Sequence, residues 1–433
     1  MSTMETNSIR FKNLINMLPI IALMTYYYTH YLEGTYSFII PLGLVVLWLC
    51  LSFVFGKVKG ILMNKVTVWW LAYLFLCIIM VILGFSSTNI NFIISRLPFF
   101  IIPAIGYYVI RCYNKKEKAL ILMMFAIIFG ANLVYNIILG FQLPEIFESL
   151  ESTEESIEFG IMMNIAPSSF ISVSYWLIGA LLTVSLCKKK GFSKVFYVII
   201  TLPIGYYMLF QNTRGTAVIL LAIELVGLVL AYFEPRTKEN RRFYYISSSI
   251  LIVLILLVVF IPLMNWILEN IQSERLAERF NDLLDFKKSG GDANKISEGS
   301  LSGRLMLAKT SLNSFFSSPI SILIGIGDHT TSFGGDLIKS GVGGHSEFID
   351  VLARYGLVGG FVFWNIMKQY YCVLKKVAVE RDLLKYVNVV YFVIVLTGFL
   401  NNIFQPSMMF FIFMVFPLII EFTNVNNNKS YGK

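Results

Sequence analysis

The sequence predicts an all-α, polytopic membrane bundle, and three observations carry that prediction. Of its 433 residues, 57% are hydrophobic and 14% charged, with a mean hydropathy of +0.71; such a chain cannot be wrapped around a water-soluble core. Apolar runs of roughly 17 to 25 residues, each able to cross about 30 Å of hydrocarbon as a helix, recur about twelve times. These runs stay apolar throughout instead of alternating with polar residues, which excludes a β-barrel.

The runs fall near residues 14–31, 36–55, 66–84, 91–110, 119–141, 168–187, 195–211, 216–233, 243–268, 347–367, 384–403 and 407–423. They predict one integral membrane domain over residues 1–433, with a single long connection, 269–346, between the ninth and tenth spans. The first run follows a basic N-terminus as a signal peptide would. It is long, carries Tyr26–Tyr28 and lacks a small-residue cleavage site, so it is expected to be retained.

Lysine and arginine collect in every second connection: Arg10 and Lys12, Lys57 to Lys65, Arg111 to Lys118, Lys188 to Lys194, Arg236 to Arg242, and Lys368 to Lys385. By the positive-inside rule these connections are cytoplasmic, as are both termini. The connection 142–160 holds six glutamates and no base, as expected of the outer side. This sorting accounts for the net charge of +9, so no nucleic-acid partner is expected. Neither are disulfides or a thiolate metal site, because the five cysteines form no CxxC pair. With three histidines in the whole chain, a multi-histidine metal centre is not expected either, and no cofactor is indicated.

The long connection then lies outside. Ile271, Leu276, Phe280, Leu283 and Leu284 are spaced for an amphipathic helix at the interface. A flexible Gly/Ser/Asn stretch follows, and then a second outer or re-entrant helix over RLMLAKTSLNSFFSSPISILIGIGD. Five glycines between Gly334 and Gly344 suit close backbone approach to a ligand. Arg96, Arg214, Arg304 and Arg354 remain on or near the outer side. Arg214 falls at the outer boundary of two apolar spans and Arg96 about a turn and a half inside the fourth, before Pro98, where a charge costs a few kcal/mol unless it snorkels, is partnered or is functional. Arg354, four residues after Asp350, is placed for an ion pair along one helix face. His345 precedes the tenth span beside Ser346 and Glu347, a base whose ordinary pKa is near neutrality. Arginines able to grip phosphate oxygens next to such a base suit a phosphate-bearing lipid and removal of a hydroxyl proton. Most of the 37 Phe and 23 Tyr are expected to face the bilayer or its interfaces.

The ordered set NTRGTA, a long outer loop opening with GR and reaching GIGD, and HSEFIDVLARYGLVGG resembles the bacterial O-antigen polymerase and O-antigen ligase superfamily across roughly residues 205–365. The first five spans resemble it in hydropathy alone. The resemblance implies a GT-C-like bundle in the bacterial cytoplasmic membrane that uses undecaprenyl-diphosphate-linked glycans as donor and acceptor. A surface polysaccharide such as O-antigen, capsule or exopolysaccharide would be the product, and a chain-length regulator protein a possible partner beside membrane lipids. It further implies metal-independent, inverting glycosyl transfer, with Arg214 and Arg304 holding the diphosphate and His345 orienting or deprotonating the acceptor hydroxyl. Arg96, Ser346, Glu347 and Asp350 are the expected substrate-binding residues, with packing roles open for Glu347 and Asp350. Polymerase and ligase both fit, polymerase being favoured by the modest loop. A flippase or secondary transporter is the reading from another class, and it would require ionisable residues near mid-membrane.

Overall fold

In the computed structural model the described residues are 2–29, 39–55, 64–83, 90–142, 168–187, 191–208, 215–235, 244, 301–327, 341–344 and 346–428. They are helical with short connections, and no strand runs through them. In chain order the helices are α1 (Ser2–Thr29), α2 (Ile39–Val54), α3 (Lys65–Ile82), α4 (Ile90–Cys112), α5 (Lys115–Gln142), α6 (Ser168–Cys187), α7 (Gly191–Tyr206) and α8 (Gly215–Phe233). After the long connection come α9 (Leu301–Phe315), α10 (Pro319–Ile324), α11 (Glu347–Val377), α12 (Arg381–Leu400) and α13 (Pro406–Phe410). The last continues through a π-helical turn (Phe411–Val415) into α14 (Phe416–Asn428).

Among the described residues seven helices are long and apolar enough to cross a membrane: α3, α5, α6, α8, α11, α12 and the composite α13–α14 over Pro406–Asn424. Four expected spans coincide with shorter apolar segments, Leu14–Tyr28, Ile39–Val54, Phe100–Cys112 and Lys194–Tyr206. A 16-residue helix such as α2 or α7 rises only about 24 Å. The expected span at 243–268 lies, apart from Tyr244, outside the described residues, as do the interfacial helix near 271–284 and the acidic connection.

Local chemistry sets the helix starts. Asn114 Oδ1 accepts from the backbone N–H of Lys116 and Glu117, while Glu117 Oε2 accepts from Asn114 N at 2.8 Å; this reciprocal box opens α5. Asn64 likewise caps α3 through Thr67 N at 2.8 Å. At this end of the bundle Arg111, Lys376, Glu380 and Glu421 line one cavity, and Lys118 Nζ lies 2.6 Å from Glu421 Oε1. It is called the basic end below.

The core runs along the α13–π–α14 column, where every residue from Met408 to Phe416 is buried. Gly106 on α4 lets that helix close on the column, since a Cβ there would overlap the Phe413 carbonyl. The core encloses Tyr28, Tyr108, Tyr175, Tyr207, Tyr370, Phe170, Phe363, Phe410, Phe411 and Phe416, all fully buried. Some of their polar tips find partners, as Tyr28 OH does on Ser407 O at 2.7 Å and Tyr175 OH on Thr397 Oγ1 at 2.9 Å, while Tyr370 OH has none among the described residues. Lipid tails offer no hydrophobic drive between helices, so large rings that pack well against one another hold them together instead.

Candidate functional site

The site is built at the end opposite the basic one, where α9, α10 and the chain before α11 meet. The α9 sequence places Leu307, Ser311 and Ser314 at helical spacing on one face, and all three are buried. Ser317 and Ser318 then stop the helix. Ser318 Oγ accepts from Ser321 N at 3.0 Å, Ser321 Oγ accepts from Ser318 N at 2.8 Å, and Pro319 supplies the first helical residue of α10. The expected single outer helix is therefore two, and both pack on α11.

Two glycines fix how closely they pack. Gly325 ends α10 with φ 82°, and Gly356 interrupts α11 with φ 61° and ψ −157°. A Cβ on Gly325 would overlap the backbone of Arg354, and one on Gly356 would overlap the backbone at Leu323. The break in α11 frees the carbonyls of Ala353 and Arg354. Ile326 N and Gly327 N donate to them at 2.9 and 3.0 Å, satisfying carbonyls that the helix break would otherwise leave open. The glycines of GIGD and RYGLVGG thus serve a backbone crossing.

The chain before α11 lies against α9 through main-chain bonds. Ser314 Oγ donates to Gly341 O and accepts from Gly341 N, both at 2.7 Å. Ser311 Oγ accepts from Gly343 N at 2.9 Å and donates to Asp350 Oδ1 at 2.6 Å. Asp350 Oδ2 accepts from Ser346 N at 3.0 Å. A Cβ on Gly343 would overlap the Leu307 carbonyl, so the close approach expected of these glycines is, at Gly343, made to a helix. On the other side, Asn402 Nδ2 donates to Gly344 O, Glu347 N donates to Asn401 O at 3.4 Å and Glu347 Oε2 accepts from Phe404 N at 3.3 Å. Helix α3 closes the wall through Trp70 on Phe404 and Tyr73 on Tyr355, with ring centroids 4.6 and 5.5 Å apart.

Of the expected site residues, the structure brings Ser346, Glu347 and Asp350 together, all buried. Ser346 Oγ is buried without a hydrogen-bond partner among the described residues. Asp350 spends both oxygens on Ser311 and the Ser346 backbone, so the expected Asp350–Arg354 ion pair gives way to a link between segments. Positions 96 and 304 lie on α4 and α9, but the side chains of Arg96 and Arg304 fall outside what is described, and Arg214 and His345 lie outside the described residues altogether. An apolar cavity of about 460 Å³ lined by Leu122, Phe129, Leu181, Ile204 and Phe422 belongs to the half of the bundle nearer the basic end.

Sequence reasoning missed Ser311 and Asn402 at this junction, and it missed Glu224 elsewhere. Glu224 sits midway along α8, fully buried, with neither carboxyl oxygen hydrogen-bonded among the described residues. Its carboxyl fills the space over Gly179 of α6, where a Cβ would overlap it. The signal was present: it is the only charged residue in the 19-residue run GTAVILLAIELVGLVLAYF.

No protein-family model matches this sequence, and no curated protein matches it.

Proposed function

We propose that this chain is a polymerase of undecaprenyl-diphosphate-linked oligosaccharide repeat units, a GT-C-like membrane bundle of about twelve spans with both termini cytoplasmic. It would work at the outer face of a bacterial cytoplasmic membrane. The observation that carries the reading is the junction of α9 with the chain before α11. Ser311 bonds Gly343 and Asp350 at once, so α9 and the chain entering α11 form one unit at the end opposite the basic one. Ser346 adds an unpartnered hydroxyl beside position 345, a donor and acceptor left open for a sugar.

In this reading Arg304 and Arg214 bind the diphosphate, and Arg96 adds to the positive field near its headgroup. His345 accepts the proton of the acceptor hydroxyl as that oxygen bonds to the anomeric carbon of the donor. The bond from that carbon to the diphosphate oxygen breaks with its electron pair going to the lipid diphosphate, which leaves opposite the incoming oxygen and inverts the centre. Glu347 and Asp350 hold the junction in shape. A ligase would run the same step with an acceptor other than the lipid-linked repeat unit. The test is reconstitution of the purified chain with lipid-linked repeat units in EDTA: a ladder of longer lipid-linked products is expected, lost in Arg214→Ala, Arg304→Ala and His345→Ala.

Glu224 favours a second reading, transport of the lipid-linked glycan, because a mid-span acid without a partner is what a transporter needs and a bundle does not. Under that reading vesicles carrying the chain translocate the lipid-linked unit, and Glu224→Gln stops translocation. Under the polymerase reading the same variant leaves the ladder within about threefold of wild type, as expected for a remote site.

A further inference from the structure

We propose that the cavity at the basic end binds an anionic phospholipid whose headgroup carries a free hydroxyl, of the phosphatidylglycerol type, drawn from the leaflet at that end. The site lies across the bundle from the α9–α11 junction and does not depend on the polymerase reading. Two helices build it with the same spacing. On α4, Tyr107, Ile110 and Arg111 stand at i, i+3 and i+4, and on α11 Val373, Lys376 and Val377 repeat that spacing. Each helix thus offers apolar side chains to the cavity and a base from its last turn. The connection between α11 and α12 adds Glu380, and α14 adds Glu421 and Asn424, around a volume of about 380 Å³. That is within the range of small-molecule sites, roughly 300–1,000 Å³.

Charge sets the class of ligand. A single base in the last turn of a helix is favoured by the helix dipole and by water, and would carry no argument. Here two bases line one cavity, and neither Arg111 nor Lys376 pairs with a carboxylate among the described residues. The Arg111 guanidinium lies over the Tyr107 ring, 5.7 Å from its centroid, which holds it along the wall. Of the two carboxylates in the lining, Glu421 is neutralised by Lys118 at 2.6 Å, so Glu380 alone stands against two cations and the cavity favours an anion. A basic pocket between spans at one face of a bilayer suits a lipid phosphate. Free phosphate would gain nothing from Ile110, Val373 and Val377, whereas the apolar part of a lipid buries against them.

Asn424 narrows the headgroup. It is 7% exposed, and its Nδ2 donates to Val377 O; because a carbonyl only accepts, this bond fixes which side of the amide is nitrogen. Oδ1 is then a buried acceptor with no partner among the described residues, a costly state. An ionised phosphodiester has no proton to give it, so the matching donor is a hydroxyl elsewhere in the headgroup.

The test is native mass spectrometry of the detergent-purified full chain, counting retained lipids. The probes are phosphatidylglycerol, phosphatidylmethanol, which has the same charge and no hydroxyl, and phosphatidylcholine. Retention of phosphatidylglycerol is expected to exceed that of phosphatidylcholine about tenfold or more, and that of phosphatidylmethanol about threefold. Arg111 and Lys376 are exposed, so Arg111→Gln and Lys376→Gln leave the core intact; each should lower phosphatidylglycerol retention about fivefold. Lys116→Gln, which removes an exposed charge at the same end but outside the cavity lining, should leave it within about twofold. Asn424→Ala should erase the preference over phosphatidylmethanol and keep that over phosphatidylcholine. Equal retention of phosphatidylglycerol and phosphatidylcholine, an equal loss in Lys116→Gln and Arg111→Gln, or displacement of the lipid by excess soluble glycerol phosphate would overturn the site. A preference over phosphatidylmethanol that survives Asn424→Ala would overturn the headgroup assignment.

Discussion

The two ends of the bundle use polar residues in opposite ways. At the basic end, charges are spent on one another and on water: Lys118 pairs with Glu421, whose side chain is one-third exposed, and Arg111, Lys376 and Glu380 rim a cavity of about 380 Å³. At the other end, serines, one aspartate and several glycines are spent on main chain, joining α9, α10 and the start of α11 by bonds that leave little exposed. Solvated charge marks an end that meets water and headgroups. Buried side-chain-to-backbone bonding marks an end whose shape matters, because each such bond is lost if the segments shift by an ångström or two.

That contrast can be broken, and the largest effect is expected at the backbone crossing. Gly356→Val places a β-branched residue at positive φ against the Leu323 backbone, and it should cost more than about 3 kcal/mol. Thermal unfolding of the detergent-purified protein reads this as loss of a stable folded species. Next, Ser314→Ala leaves both backbone groups of Gly341 without their partner, for about 1–3 kcal/mol, and proteolysis near residue 341 should accelerate while the basic end is unaffected.

A smaller effect tests mid-span packing. Gly179→Ala pushes a methyl into the Glu224 carboxyl and should cost about 1–2 kcal/mol. Adding Glu224→Ala should recover part of that loss, giving a coupling of about 1 kcal/mol in a double-mutant cycle; strict additivity would show that the two helices do not meet there. Smallest of all, Lys118→Met should cost about 1 kcal/mol, because Glu421 is left one-third exposed to water, and respond only weakly to salt because Lys118 is buried. An effect as large as that of Ser314→Ala would erase the distinction between the ends.

The membrane bundle was legible because twenty-residue apolar runs have few other uses: the helices at 65–82, 115–142, 168–187, 215–233 and 381–400 lie where hydropathy put the spans. Hydropathy is blind to direction, however, so nothing in it shows that rings such as Phe411 and Tyr370 are buried in the centre with α13–α14. It also read α11 as one rod, since the break at Gly356 depends on α10 arriving from thirty residues earlier to take the freed carbonyls. At the candidate site, Ser346, Glu347 and Asp350 were found by their place at a span's start. Ser311 and Asn402 were not, because nothing local distinguishes a serine that links two segments from one that faces water.

The central claim is that the α9–α11 junction is a catalytic unit for glycosyl transfer between lipid-linked sugars. The direct measurement is polymerisation by the purified chain in proteoliposomes with undecaprenyl-diphosphate-linked repeat units and EDTA, comparing wild type with Arg304→Ala and His345→Ala. A ladder from wild type that both variants lose while remaining folded is the predicted result. A ladder that survives both substitutions, or translocation of the lipid-linked unit with no ladder at all, would contradict it.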